Sequence, residues 1–356
     1  MAIGRVTKVL TDHGRAETFN DFAGCRTFPI SIFYSINAEH IPHHQANFLS
    51  LFHPFEDEVS RIFSEMGISK EKLVNYPVSI VENANPVLPC NSCPVVIFSP
   101  AFGIERDLYM ELITSIVESG YIVVTVGTPY ESLFTVFPTD TIIRQAKQVS
   151  NQDFADFTGL KELVHIRMED IKCVIDHLTL WNNEDRLLGN KFDLKRIGMI
   201  GHSLGGAAAF NAGTQDERVR CVVLLDASLH LLDYSDLDVP LLNMRQQAAS
   251  LPELLADMRE VIATAYIDGQ RRLYDCVQST KSFVKVIGSS HMSFSTFGRL
   301  VEQTSTDVTN TIQQVTVSFL KEFLSGEQGV YSELIHGGNR PPNLIEINNM
   351  GVAYSP

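Results

Sequence analysis

Arg196-Ile-Gly-Met-Ile200 runs directly into Gly201-His-Ser203-Leu-Gly205 and on into Gly206-Ala-Ala-Ala-Phe210. An apolar run with β-branched ends, a serine between two glycines four apart, and an alanine-rich stretch read as strand, sharp turn and helix. Such a turn is so tight that the residues two before and two after the serine must be small. The serine hydroxyl is then lifted above the edge of a sheet, at a helix N-terminus whose dipole favours developing negative charge.

Outward from this turn the chain repeats one pattern, short apolar strands alternating with longer helical stretches. Pro94-Val-Val-Ile-Phe-Ser99, Tyr121-Ile-Val-Val-Thr-Val126, Val219 to Leu225, Val239 to Leu242 and Phe283 to Ile287 are the further strand candidates. Between them Leu160, Leu163, Val164, Ile171, Val174, Ile175 and Leu178 form one apolar helical stripe, and Thr306 to Leu324 reads as a last covering helix. Arg5 to Leu10 and Thr27 to Tyr34 read as an antiparallel pair at the start of the sheet. The expectation is an α/β architecture, a mostly parallel central sheet of about eight strands flanked by helices, built as a single domain over residues 1–356. Within it, 36–90 reads as an N-terminal insertion with a helix near Glu56 to Met66, and 326–356 as a loop-rich tail. The segment 246–280, with Leu251, Leu254, Leu255, Met258, Val261 and Ile262 at helical spacing, reads as a helical lid or as an ordinary crossover helix pair.

Bulk properties narrow the function. Apolar residues at 44% and charged ones at 20% are ordinary for a folded globular chain. The net charge of −14, with no basic stripe to neutralise phosphates, argues against a nucleic-acid partner. Met1 to Phe19 lacks a basic start followed by an unbroken apolar stretch, and no apolar run is long enough for a transmembrane segment, so the expected location is cytoplasmic. Six scattered cysteines do not form a disulfide framework. Cys90-Asn-Ser-Cys93 has a metal or redox spacing but stands alone, and a loop before a strand is the plainer reading. His40, His43, His44 and His53 lack the accompanying ligands of a metal site and read as an exposed insertion. No metal and no cofactor is expected.

A strand, a G-x-S-x-G turn and a helix resemble the nucleophile elbow of the α/β-hydrolase fold, and chain order in that fold picks the partners. A serine hydroxyl needs a base within hydrogen-bond reach. The base in this fold comes last, on a loop after a late strand, which selects His291 of Gly288-Ser-Ser-His291 among the 11 histidines, with His230 in reserve. The acid falls at the end of Val222-Val-Leu-Leu-Asp226, since Pro240-Leu-Leu-Asn-Met-Arg245 offers none before Glu253; Asp233, Asp236 and Asp238 remain alternatives. Backbone N–H groups of Leu204 and of Phe102, in Phe98-Ser-Pro-Ala-Phe102-Gly103, are the candidate oxyanion donors. Tyr130 and Phe294 are candidate pocket walls.

Several further stretches are similar to the plasma and intracellular type II platelet-activating-factor acetylhydrolases and related bacterial esterases. They are Leu10-Thr-Asp12, the Arg26 to Tyr34 strand, Gly120-Tyr-Ile-Val123, Arg167-Met-Glu-Asp170, the elbow itself and His291-Met-Ser-Phe294. The resemblance implies cofactor-free hydrolysis of carboxylic esters, with the triad acid after the earlier strand, at Asp226, and a small-molecule or lipid-like ester as substrate. Two stretches depart from it. Pro100-Ala101 stands where the acetylhydrolases carry His-Gly and looks more like the Ser-Pro-Gly loop of bacterial polyester hydrolases, and Thr128-Pro-Tyr130-Glu131-Ser132 replaces a His-Arg or His-Pro segment; the chain is also similar to dienelactone hydrolase-like enzymes. An acyltransferase, thioesterase or cyclase would use the same triad, and sequence alone does not separate these from a hydrolase.

Overall fold

A computed structural model describes residues 2–20, 24–37, 47–302 and 304–354. The strands are β1 (Ala2–Ala16), β2 (Cys25–Ile36), β3 (Ile80–Glu82), β4 (Cys93–Ser99), β5 (Ile122–Val126), β6 (Phe134–Phe137), β7 (Thr141–Arg144), β8 (Phe192–His202), β9 (Val219–Leu225), β10 (Leu241–Arg245), β11 (Lys281–Val286) and β12 (Leu344–Glu346). The helices before the elbow are α1 (Glu56–Glu65), α2 (Lys70–Val74), α3 (Met110–Glu118), α4 (Lys147–Ser150) and α5 (Phe157–Glu184). Those after it begin with α6 (Leu204–Gln215), α7 (Leu251–Leu254) and α8 (Glu260–Cys276). The last are α9 (Thr296–Val301), α10 (Thr306–Phe323) and α11 (Val330–His336).

Among the described residues ten strands form one sheet in the order β12-β11-β10-β9-β8-β4-β5-β2-β1-β3, and β6 pairs with β7 separately. From β5 to β11 every neighbour pair is parallel. Such strands must be apolar on both faces, because helices cover both. In β4, Val96 and Phe98 enter the cluster that includes α3 and α10, while Val95 and Ile97 enter the one that includes α5 and α6. This is the two-residue alternation of a strand with a core on each side. The α5 stripe predicted from spacing is buried at Leu160, Leu163, Val164, Ile171, Val174, Ile175 and Leu178, and Asp156 caps its N-terminus through the N–H groups of Thr158 and Gly159.

The sheet is wider than the eight or so strands expected. Ile80–Glu82 adds a short strand on β1, and the tail adds Leu344–Glu346 antiparallel to β11. The tail is therefore not simply loop-rich: α11 packs Tyr331 against Phe319 before β12 closes that edge. Three-residue strands carry too little periodicity to be read from sequence. The 36–90 region holds α1, α2 and β3, with Phe48, Phe52 and Phe63 buried in the core. His40, His43 and His44 lie outside the described residues, and His53 is exposed beside Glu56. Among the described residues no helix is long and apolar enough to cross a membrane.

Candidate active site

Because the central strands are parallel and in register, their C-terminal ends reach one edge of the sheet, and each delivers one part of the site. β8 ends at His202 and hands over to Ser203, β9 ends at Leu225 before Asp226, β4 leads to Phe102, and the loop after β11 carries His291. Backbone hydrogen bonds lock the neighbours together: the Ser203 N–H donates to Leu225 O at 3.0 Å, Asp226 N–H to Met244 O at 2.7 Å, and Ser228 N–H to Ser203 O at 2.9 Å.

Ser203 adopts φ 55° and ψ −121°, a conformation that L-residues rarely take. Its flanking glycines are enforced by contact. A Cβ on Gly201 would lie 2.2 Å from Gly205 O, and one on Gly205 would lie 2.2 Å from Ser99 O. Ser203 is the N-cap of α6, so the Leu204 N–H belongs to the first turn, where no intrahelical acceptor exists.

The side chains of Ser203, His291 and Asp226 come together. Ser203 Oγ is 3.0 Å from His291 Nε2, and His291 Nδ1 is 2.5 Å from Asp226 Oδ2. The other carboxylate oxygen accepts from the Gln246 N–H at 3.2 Å and faces Arg245 Nε at 3.3 Å. Burial alone would raise the pKa of Asp226; the Arg245 charge and the hydrogen bond with His291 outweigh it and hold the carboxyl below the usual range. Of the alternative acids, the Asp236 carboxylate accepts from Gln278 Nε2 at 3.4 Å, away from His291.

A cavity of about 370 Å³ opens over Ser203. Phe102, Phe154, Met258, Ile262, Tyr266 and Met292 supply its apolar walls, so the 246–280 segment contributes three of them. His230 also lines it, but its ring nitrogens are buried without partners, and burial, then Arg245 and Lys161, lower its pKa to about 4. Tyr130 and Phe294 do not line this cavity. The half-buried Tyr130 has its hydroxyl accepting from Asn20, and Phe294 is buried against the His202 ring at 5.8 Å, so both side chains are packed elsewhere.

The loop after β4 is held from behind. Arg167 of α5, 1% exposed, donates to the carbonyl oxygens of Pro100 and Ala101 and forms a buried ion pair with Glu131. The two stretches that depart from the acetylhydrolase pattern, Pro100-Ala101 and Thr128 to Ser132, thus meet on one guanidinium. Sequence reading missed this role, although an arginine on the buried stripe between Val164 and Met168 was the available signal. It also passed over Arg245, a basic residue at the end of the strand beside the acid. The Cys90 and Cys93 sulfurs lie 3.0 Å apart, both unbridged, with Cys93 opening β4. Among the described residues no cluster of three or more metal-ligating side chains occurs.

Comparison with known proteins places this geometry. A ferulic acid esterase from Streptomyces cinnamoneus superposes with a TM-score of 0.76 at 20% identity, covering 98% of this chain and 96% of that one, and so shares the α/β-hydrolase fold. A platelet-activating factor acetylhydrolase from Canis lupus familiaris is 24% identical over 238 residues, 60% of this chain and 50% of its own length. The Bos taurus protein of the same name is 24% identical over 229 residues, 57% and 48% respectively. A probable 1-alkyl-2-acetylglycerophosphocholine esterase from Arthroderma benhamiae is 26% identical over 137 residues, 38% of this chain and 32% of that one. The chain therefore spans about half the length, or less, of these relatives. The model of the family described as platelet-activating factor acetylhydrolase, isoform II, matches residues 40–313, well over half of the chain, and the protein belongs to that family.

Proposed function

We propose that the protein is a serine carboxylic-ester hydrolase with Ser203 as nucleophile, His291 as general base and then acid, and Asp226 as the acid that orients it. The observation that carries this reading is the continuous hydrogen-bonded line from Ser203 Oγ through His291 to Asp226, at 3.0 and 2.5 Å. Ser203 Oγ attacks the ester carbonyl carbon while its proton passes to His291 Nε2. Asp226 fixes the proton of the imidazole on Nδ1 and stabilises the positive charge that forms. The N–H groups of Phe102 and Leu204 bind the oxyanion; the Ala101 N–H is already committed to Tyr109, which makes the Phe102 amide the next donor along the loop. The alcohol leaves with the proton from His291, and water repeats the sequence on the acyl-enzyme to release the acid.

Relatives named as acetylhydrolases and as an acetylglycerophosphocholine esterase direct the substrate proposal to esters with a short acyl group. A cavity of about 370 Å³ with apolar walls is in keeping with it. The test is labelling with a fluorophosphonate probe, followed by turnover of p-nitrophenyl esters of increasing acyl length. Wild type should label and prefer the short esters, and Ser203→Ala should do neither. Equal labelling of the two proteins rejects the nucleophile.

A further inference from the structure

We propose that Tyr109 and His202 are positioning residues: they form one hydrogen-bond chain that ties the oxyanion loop to the histidine loop across the nucleophile. The inference rests on the reading of Ser203, His291 and the Phe102 amide given above.

The chain is complete, and its direction is fixed by chemistry. The Ala101 N–H donates to Tyr109 Oη at 2.8 Å, Tyr109 Oη meets His202 Nδ1 at 3.0 Å, and His202 Nε2 meets the His291 carbonyl oxygen at 2.9 Å. A carbonyl oxygen only accepts, so His202 Nε2 carries a proton. His202 is 0% exposed, and burial first, then the neighbouring His291, lower its pKa to about 3, which leaves the ring neutral. Its Nδ1 is therefore a bare acceptor, the Tyr109 hydroxyl must donate to it, and the phenol oxygen is free to accept from Ala101.

Each end of the chain sits one covalent step from the chemistry. Ala101 precedes Phe102, the proposed oxyanion donor, and the carbonyl belongs to His291 itself. His202 precedes Ser203, so the middle of the chain is part of the nucleophile turn. The rings are held as well: Tyr109 packs on Phe98 at 4.5 Å, and His202 packs on His291 at 4.8 Å and on Phe294 at 5.8 Å. Phe294 thus supports this relay in place of the pocket-wall role its sequence position had suggested. A displacement of about 1 Å in such a frame costs on the order of a hundredfold in rate.

Turnover of p-nitrophenyl acetate by Tyr109→Phe, His202→Phe and His202→Gln tests the proposal. Tyr109→Phe and His202→Phe should each lower kcat about tenfold or more with KM within about twofold, since the positioning matters in the transition state rather than in binding. The double variant should be no worse than the poorer single one, because both break the same chain. His202→Gln should recover most of the loss, as its amide can still donate to the His291 carbonyl. Wild-type kcat in either Phe variant, fully additive losses, or His202→Gln as impaired as His202→Phe overturns the proposal. Should His202→Phe fail to fold, Tyr109→Phe, which removes a single oxygen, decides alone. Wild type that resists a fluorophosphonate overturns the triad reading and this inference with it. Wild type that labels while the variants keep full kcat overturns the inference alone.

Discussion

Arg245 and Asp226 form an ion pair in which both side chains are 2% exposed, with Nε 3.3 Å from Oδ1, while Oδ2 of the same carboxylate engages His291. The acid is therefore gripped from both sides. Arg245 Nε makes no well-aligned hydrogen bond, so its contribution here is charge, and its Nη1 is anchored on the Ala227 carbonyl at 3.1 Å.

Replacing Arg245 by Met removes the nearest positive charge while the burial of Asp226 remains. The Asp226 pKa should rise, and the acid limb of the kcat/KM profile should move to higher pH. Stability follows the same linkage. A depressed carboxyl stabilises the fold above its unfolded pKa, and that contribution is lost as pH falls through the folded value. The Tm difference between wild type and Arg245→Met should thus be largest near neutrality and shrink under acid. Breaking a buried pair from one side costs about 3–5 kcal/mol, enough to read by thermal unfolding. A pH-independent difference in Tm, with an unmoved acid limb, would contradict the role assigned to the charge.

Asp226→Asn keeps the shape of the acid but offers His291 an amide, which removes the charge that stabilises the protonated imidazole and lets the ring take the wrong tautomer. Turnover of a p-nitrophenyl ester should fall by about 10³–10⁴ with KM little changed. A loss below about tenfold would return the role to another acid.

Much of this arrangement was legible in the chain because each part was signalled locally. Gly201 and Gly205 around Ser203 announced the turn, the apolar runs announced the parallel strands, and the position of His291 after the last long strand singled it out. The relay of Tyr109 and His202 was not legible: Tyr109 lies 93 residues from His202, and only the packing of β4 beside β8 brings them together. The cavity walls failed for a related reason. Strand ends can be placed from pattern, whereas the direction in which a loop side chain such as Tyr130 or Phe294 turns depends on contacts made after folding. Short edge strands such as Leu344–Glu346 carry no period to read.

Gly205→Ala should unfold the turn rather than adjust it. The new Cβ would lie 2.2 Å from Ser99 O and 2.3 Å from Pro100 O, two backbone atoms that Arg167 and the β4–β8 pairing hold in place. A destabilisation of about 3 kcal/mol is expected, read as a lower midpoint in urea together with weaker fluorophosphonate labelling. Wild-type stability would mean that the loop yields more easily than its contacts indicate.

The wall over the cavity should be the least protected part of the site. α7 and the first half of α8 are held by a small cluster of their own, Leu254, Ala263 and Ile267, separate from the two clusters that cover the sheet. The second half of α8 is different. Gly269 lies so close to the backbone of Leu229 that a Cβ would approach it to 2.6 Å, and Leu273 and Cys276 join the main core. Local opening free energy follows buried apolar contact, so amides in 255–262 should exchange with deuterium faster than those in 269–276. Phosphonylation of Ser203 would fill the space against Met258, Ile262 and Tyr266 and should slow exchange in the first segment while leaving the second unchanged. Equal protection of the two segments in the free protein would mean that the wall is part of the rigid core.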